Sequence, residues 1–207
     1  MKTCAFTGHR PKGLGYPESD GRCTALKEKL RSLIIRMIEE EGVTHFISGM
    51  AQGVDMYAAE IVLELKKQDP QITLEYAISY ERQAAYWPEP LRNRYFSIAE
   101  RCDRETMLQR QYTPDCLRKR NRYMIDHADI VLAVWNGGPS GTGQTVWYAR
   151  ETGKPVWIFR PDTLEVDFCF WQELLCFLIL PEHLSVSFAD SSPPGEPPLA
   201  GRWHGVS

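Results

Sequence analysis

Short apolar runs typical of buried β-strands alternate along this chain with longer segments that have the apolar spacing of helices. The run 129–135 (DIVLAVW) is apolar enough to be buried on both faces of a sheet. The segment Ala25–Glu41 carries leucine, isoleucine and methionine at helical spacing, with charged residues between them and a glycine after it. This alternation predicts right-handed crossovers, a mostly parallel sheet and helices on both of its faces. We therefore expect an α/β fold.

The same pattern gives approximate limits for each element. The predicted strands are Thr3–Thr7, Thr44–Ser48, Ile72–Ile78, Glu105–Leu108, Asp129–Trp135 and Pro155–Phe159. The predicted helices are Ala25–Glu41, Val54–Lys67, Pro90–Arg101, Asp115–His127 and Thr142–Thr152. Residues 164–184 add a terminal strand or turn and a hydrophobic helix, so we expect residues 1–184 to form a single domain. Residues 185–207 are rich in proline, glycine and serine, and we expect a mobile tail.

The composition is that of an ordinary soluble, globular protein. Of the 207 residues, 43% are hydrophobic, and 24 Lys and Arg against 27 Asp and Glu leave a formal net charge of −3. Proteins that coat nucleic acid without specificity usually carry a strong positive excess, so we do not expect nucleic acid as a partner, although a local basic groove is compatible with these numbers. The longest apolar run, 168–180, is too short to span a bilayer, and we expect no membrane partner.

The amino terminus and the cysteines favour a cytoplasmic protein. The apolar start of the chain turns polar after a few residues, so it predicts a strand rather than a signal peptide. The six cysteines contain no Cys-x-x-Cys pair and have no histidine at zinc-finger spacing. We expect reduced cysteines, a cytoplasmic location and neither a metal nor a cofactor.

Glycines and polar side chains collect directly after the predicted strands, whereas the opposite strand ends carry few of them. Ligands of open parallel sheets bind outside the carboxyl ends of the strands, so these residues are the candidates for a site. They are Gly8, His9 and Arg10 after the first strand; Gly49, Gln52, Gly53 and Asp55 after the second; Arg82 and Trp87 after the third; and Asn136, Gly141 and Thr142 after the strand 129–135.

Two of these loops, 49–53 and 137–143, open predicted helices. Glycine lets backbone amides approach a ligand closely, and a helix N-terminus favours an anion, so we expect a phosphate at these loops. Neither loop has a Walker A sequence or Gly-x-Gly-x-x-Gly spacing, and glycines that serve only tight turns are the alternative.

The candidate side chains also have structural alternatives. Arg10 can form a bidentate pair with phosphate and His9 can donate or accept a hydrogen bond, but both residues also suit a salt bridge or a turn. Asp55 can hold a ribose hydroxyl or simply favour the start of its helix. Three aromatic residues after the third strand can stack on a base or pack within their loop: Tyr80, Tyr86 and Trp87.

The basic run 118–122 (RKRNR) lies on the predicted helix Asp115–His127. A solvated helix face is the default interpretation of such a run. Asn121 becomes a candidate ligand-binding residue if this helix begins beside the crevice at the carboxyl ends of the strands.

Several ordered motifs together resemble the YpsA type of the SLOG superfamily, whose relatives include the Smf/DprA and LOG proteins. The matching segments are 7–11 (TGHRP), 48–55 (SGMAQGVD), 120–126 (RNRYMID), 128–137 (ADIVLAVWNG) and 140–146 (SGTGQTV). The resemblance covers about Met1 to Pro161. It implies a Rossmann-like, three-layer α/β/α fold with a nucleotide-type ligand in the crevice.

The relatives within this superfamily imply different activities. LOG-type enzymes cleave nucleoside monophosphates with a catalytic glutamate, and Thr145 occupies the corresponding position here. Threonine cannot act as a carboxylate base, so this departure argues against phosphoribohydrolase activity. DprA proteins bind single-stranded DNA and have a loop similar to Gly49–Asp55, but the acidic net charge of this chain gives DNA binding weak support.

We therefore expect a sensor or regulatory protein that binds a nucleotide-derived molecule of the ADP-ribose or NAD kind. In this hypothesis the amides of Gly8, 49–53 and 141–143 hold phosphate, Arg10 and Arg82 neutralise charge, Asp55 and Asn121 contact sugar hydroxyls or fix the loops, and Trp87 covers the base. The alternatives are a nucleotide hydrolase that uses His9, Asp55 or Glu81, and single-stranded DNA binding through 118–122. The oligomeric state stays open, a homo-oligomer included.

Overall fold

The computed structural model describes residues 1–169 of the chain. Its strands are β1 (Lys2–Gly8), β2 (Val43–Ser48), β3 (Thr73–Ile78), β4 (Arg104–Met107), β5 (Ile130–Val134), β6 (Val156–Phe159) and β7 (Val166–Cys169). Its helices are α1 (Pro11–Leu14), α2 (Gly21–Glu39), α3 (Val54–Lys66), α4 (Glu89–Ala99), α5 (Cys116–Asp126) and α6 (Gly141–Glu151).

The strands form one seven-stranded sheet in the order β4-β3-β2-β1-β5-β6-β7. Neighbouring strands are parallel except for β7, which pairs antiparallel with β6. The chain moves outward from β1 to β4 and then returns to the other side of β1 with β5. The strand order therefore reverses between β1 and β5, and in open α/β sheets a crevice opens at the carboxyl ends of two such strands.

Helices cover both faces of the sheet. On one face α2, α3 and α4 pack on a core in which Phe6 and Phe46 stack with ring centroids 5.5 Å apart. On the other face α5 and α6 pack through Met124, Ile125 and Val146 on the small and branched residues of the inner strands. The inner strands are almost continuously apolar because both of their faces are buried. The predicted Rossmann-like, three-layer α/β/α fold is confirmed.

The element limits differ from the predicted ones mainly where local capping decides them. Helix α2 begins at Gly21 rather than Ala25, because the Asp20 side chain accepts a hydrogen bond from the Arg22 amide (2.8 Å) and caps the helix. The four-residue α1 was not predicted, since it is too short to show helical periodicity. For the segment that begins at residue 164 the sequence predicts a terminal strand or a turn, and the structure contains a strand there, β7.

Two expectations lie outside the described residues: the hydrophobic helix within 164–184 and the mobile tail 185–207. Within residues 1–169, none of the helices combines the length and the apolar character that crossing a bilayer requires.

Candidate functional site

The loops that follow β1 and β5 are joined at the point where the strand order reverses. The His9 amide donates to the Val134 carbonyl (3.3 Å), and His9 Nε2 lies 2.9 Å from Asn136 Oδ1. Asn136 Oδ1 also accepts a hydrogen bond from the Gly138 amide (3.0 Å). Burial lowers the pKa of His9, and the contact with Asn136 opposes this shift. His9 therefore braces two loops as a buried, predominantly neutral imidazole at neutral pH.

The loop between β2 and α3 presses against the loop after β1. Gly53 has φ +93° and ψ −130°, a conformation that strongly favours glycine. A Cβ at this position would lie 2.8 Å from the His9 carbonyl oxygen and 3.0 Å from Pro11 Cδ. The Val54 amide donates to the same His9 carbonyl (3.3 Å), and Val54 packs directly onto Gly8. The glycines of both loops thus permit close approach of backbone to backbone.

A buried arginine from α5 holds the middle of the β2–α3 loop. Arg120 is only 4% exposed; its Nη1 donates to the Gly49 carbonyl and its Nε donates to Asn121 Oδ1 (2.8 Å). A Cβ at Gly49 would overlap this guanidinium. Gly49 is therefore required by the space that Arg120 occupies.

Asp55 supports the same loop from the first turn of α3. Its carboxylate accepts a hydrogen bond from the Ala51 amide (3.3 Å) and lies 4.0 Å from Arg120 Nη1. Burial raises the pKa of Asp55, and the charge of Arg120 opposes that rise. Asp55 lies beneath the loop surface, a geometry that favours the loop-fixing alternative over contact with a sugar.

Gln83 ties the loop after β3 to the loop after β2. Its Nε2 donates to the Gly49 carbonyl (3.1 Å), and its Oε1 accepts from the Ser79 amide (3.0 Å) and hydroxyl (2.7 Å). Gln83 is 7% exposed. This side chain therefore connects the loops after two neighbouring strands.

The two glycine-rich helix starts differ in how they are capped. At α6 the Ser140 side chain accepts a hydrogen bond from the Gly143 amide (3.0 Å), and Thr145 donates to the Gly141 carbonyl (2.9 Å) while accepting from Asn121 (2.8 Å). At α3 the N-cap residue is Gly53, and no side chain caps the helix. The start of α3 is therefore the more available of the two for an anion.

A cavity of about 250 Å³, here called the inner cavity, opens directly over the β2–α3 loop. Arg10, Gln52, Trp87 and Arg120 line it. Its wall also includes Ala51, Tyr80, Gln83, Pro88, Leu91, Tyr112 and Leu117. Among these lining residues the charged side chains are the two arginines, so the cavity is positively charged. Trp87 is held edge-on by Tyr95, with ring centroids 5.5 Å apart.

A second cavity of about 360 Å³, here called the outer cavity, adjoins the first. It is lined by Glu81, Arg82, Tyr86, Arg110, Gln111 and the pair Tyr80 and Tyr112, which belongs to both cavities. The Arg82 guanidinium lies 5.0 Å from the centre of the Tyr86 ring. The outer cavity is thus basic and aromatic.

The predicted site residues divide into three groups by position. Those that line a cavity are Arg10, Gln52, Trp87 and Arg82. Those that support the cavity floor or brace the loops are Gly8, His9, Gly49, Gly53, Asp55, Asn121 and Asn136. Those at the capped start of α6, which line neither cavity, are Gly141 and Thr142.

The most important residue that the sequence reasoning missed is Arg120. It belongs to the basic run 118–122, in which Arg118, Lys119 and Arg122 are exposed as predicted. Its spacing of four from Cys116 and from Met124, both buried, was the available signal that it faces inward. Gln83, Arg110 and Tyr112 were also missed as lining residues.

The parallel sheet, the reversal of strand order beside β1 and the cavities at the carboxyl edge define a Rossmann-like α/β protein. The family model YpsA, described as the YspA SLOG family, matches residues 4–153, so the chain belongs to this family. The resemblance inferred from the loop motifs is confirmed.

Two bacterial relatives illustrate this membership. The chain is 31% identical over 161 residues to the uncharacterized SPbeta prophage-derived protein YoqJ of Bacillus subtilis, covering 70% of this chain and 94% of that one. It is 28% identical over 174 residues to the UPF0398 protein YpsA of the same organism, covering 80% of this chain and 96% of that one.

Solved structures of DNA processing protein A have a similar fold. The protein from Helicobacter pylori, which binds single-stranded DNA, has a TM-score of 0.51 at 20% identity, covering 76% of this chain and 64% of that one. The protein from Streptococcus pneumoniae has a TM-score of 0.52 at 18% identity, covering 76% of this chain and 50% of that one. At these identities the likeness concerns the fold.

Proposed function

We propose that this protein binds a phosphorylated, nucleotide-type small molecule of the ADP-ribose or NAD kind, with a nucleotide part of that molecule in the inner cavity. We propose further that it acts as a sensor or regulatory protein rather than an enzyme. The observation that carries the proposal is the charge of the cavity wall. Among the described residues that line the inner cavity, the charged ones are Arg10 and Arg120, and both are cations. A guanidinium is the side chain best suited to bind phosphate through two hydrogen bonds.

The backbone beside these arginines supports an anionic ligand as well. Ala51 and Gln52 line the cavity immediately before the start of α3, which no side chain caps. The helix dipole favours negative charge at this end, and Gly53 lets the loop lie close to the chain after β1. Phosphate at this position would therefore meet the helix N-terminus and Arg10 together.

The aromatic side of the cavity suits the remainder of a nucleotide. Trp87 and Tyr80 lie in the wall, and the apolar residues Leu91 and Leu117 complete it. Ligand pockets typically combine such apolar walls with a few polar groups that fix orientation. A base next to Trp87 and a phosphate next to Arg10 would use both parts of this wall.

The positions of two residues considered for catalysis, Thr145 and Asp55, favour binding over turnover. Thr145, which replaces the glutamate of LOG-type enzymes, uses its hydroxyl to connect Asn121 with the Gly141 carbonyl. The Asp55 carboxylate is directed to the Ala51 amide and does not line the cavity. Both groups are therefore engaged in holding loops.

Isothermal titration calorimetry with AMP, ADP-ribose and NAD⁺ tests this proposal. We expect wild-type protein to bind at least one of them, and Arg10→Gln to weaken that binding about tenfold, the loss typical of one charge-assisted contact. Arg118→Gln is the matched control, because Arg118 is exposed on α5 and lines neither cavity.

Two results would count against the proposal. The first is the absence of heat of binding with all three nucleotides. The second is an equal loss in Arg10→Gln and Arg118→Gln, since this would assign the effect to overall charge. Release of free base or ribose phosphate during incubation would contradict the non-enzymatic part of the proposal.

A further inference from the structure

The inner and outer cavities meet at one pair of aromatic residues. Tyr80 and Tyr112 line both cavities, and their rings are in edge contact with centroids 5.4 Å apart. Pockets for small molecules usually have volumes of about 300–1,000 Å³. The inner cavity, at about 250 Å³, lies below this range, and the outer cavity, at about 360 Å³, lies near its lower limit. Together they fall well inside it, so a ligand larger than one mononucleotide fits the combined space.

The chemistry of the outer cavity repeats that of the inner one. It contains two exposed guanidiniums, Arg82 and Arg110, against one carboxylate, Glu81, so its wall is net positive. Tyr86 is 38% exposed and has Arg82 over its ring. A basic wall with exposed aromatic rings can accept a phosphate and stack on a base.

Backbone hydrogen bonds connect the loops that form the outer cavity. The Glu81 amide donates to the Arg110 carbonyl (3.3 Å), and the Leu108 amide donates to the Ile78 carbonyl (2.9 Å). These bonds join the loop after β3 to the loop after β4. Hydrogen bonds within the protein thus hold the backbone of the outer cavity in place, which reduces the backbone entropy lost on binding.

We propose that the outer cavity is a second subsite for the same ligand, which is therefore a dinucleotide-class molecule with one half in each cavity. Arg82 and Arg110 bind phosphate of the second half, and Tyr86 contacts its base. This inference rests on the proposed function, because it assumes that the inner cavity holds the first nucleotide half.

The test compares AMP with NAD⁺ in calorimetric titrations of the full chain. We expect wild-type protein to bind NAD⁺ about tenfold or more tightly than AMP, because only NAD⁺ reaches both cavities. Arg110→Gln and Arg82→Gln should each remove most of that advantage while changing AMP affinity by no more than about twofold, the size of a remote surface-charge effect. Arg118→Gln, an exposed arginine of the same charge outside both cavities, should alter neither ligand.

The outcomes separate this inference from the proposed function. If wild-type protein binds AMP as tightly as NAD⁺ or more tightly, the second subsite is wrong while nucleotide binding stands. The second subsite is also wrong if Arg82→Gln and Arg110→Gln weaken the binding of AMP and NAD⁺ equally, or if they weaken the binding of neither ligand. If wild-type protein binds neither ligand, nor ADP-ribose, the proposed function fails and the second subsite fails with it.

Discussion

At the scale of single residues, the shape of the candidate site depends most on Arg120. Its guanidinium is buried against Gly49, within reach of the Asp55 carboxylate, and also forms part of the inner cavity wall. Burying a charge is costly unless it is compensated, and here a carbonyl, an amide oxygen and a carboxylate supply that compensation. The same side chain therefore stabilises the loop and forms part of the cavity wall.

We expect Gly49→Ala to lower the free energy of unfolding by about 2 kcal/mol, the usual cost of overfilling a tightly packed site. The added methyl group would overlap the Arg120 guanidinium, which would have to leave its buried position. Urea unfolding followed by circular dichroism measures the effect. Gly21→Ala is the control, since a Cβ there meets nothing within 4 Å and should be neutral or slightly stabilising. Equal unfolding midpoints for the two variants would refute this account.

At the scale of elements, hydrophobic periodicity was sufficient to predict most of the fold. Strand β5 and helix α3 were found within one or two residues, because a long buried segment has a clear apolar pattern. The apolar pattern predicts a start of helix α2 at Ala25, four residues late, because the first turn carries a single buried residue, Cys23, and depends on the Asp20 cap. Periodicity reports which face is buried, but it says little about how a helix is capped.

The candidate site was predictable only as far as its signals were local. Gly53 and Arg10 stand directly after strands, and the topology of a parallel sheet brings such positions to one edge. Arg110 comes from the segment between β4 and α5, and Arg120 comes from α5 itself. The helical spacing of Arg120 indicates only that it faces inward, and no local pattern indicates that either residue reaches the loops after β2 and β3. Their contribution depends on tertiary packing, which a single sequence does not reveal.

A buried polar cluster joins the sheet to α5. The Glu75 carboxylate of β3, 1% exposed, accepts from Tyr123 of α5 (2.7 Å) and lies 3.3 Å from His45 Nε2 and 3.5 Å from Arg104 Nε. Burial by itself raises the pKa of Glu75, but the hydrogen bonds from His45, Thr106 and Tyr123 together with the charge of Arg104 outweigh it. The net effect lowers the pKa from its ordinary value of 4.5 to about 2.

Because the folded state holds Glu75 ionised, stability should depend on acid in a defined range. The contribution is fully present above pH 4.5, the ordinary pKa, and is lost as the pH falls toward 2. It amounts to about 3 kcal/mol. The difference in unfolding free energy between wild-type protein and Glu75→Gln should therefore shrink over this range. Glu28→Gln, at an exposed position of α2, should follow the wild-type curve. A difference that stays constant from pH 6 to pH 2 would contradict the assignment.

At the scale of the whole molecule, the inner cavity connects segments that are distant in sequence. Arg10 follows β1, Gln52 follows β2, Trp87 follows β3, and Arg120 comes from α5 on the return path of the chain. A ligand held by all of them contacts both the outward and the returning halves of the sheet. Binding should therefore stabilise the folded domain as a unit, since unfolding of either half would destroy the cavity.

We expect the nucleotide that binds most tightly, at about 100 times its Kd, to stabilise the protein by about 2.7 kcal/mol. For a domain of this size each kcal/mol raises Tm by about 2–4 °C, so the expected shift is about 5–10 °C. Arg10→Gln at the same nucleotide concentration should show about half of that shift, because a tenfold weaker Kd leaves the ligand at about 10 times Kd. Arg118→Gln should show the full shift. Differential scanning calorimetry measures all three, and a single transition in each would support stabilisation of the domain as a unit. If Arg10→Gln keeps the full shift, the stabilising ligand binds outside the inner cavity.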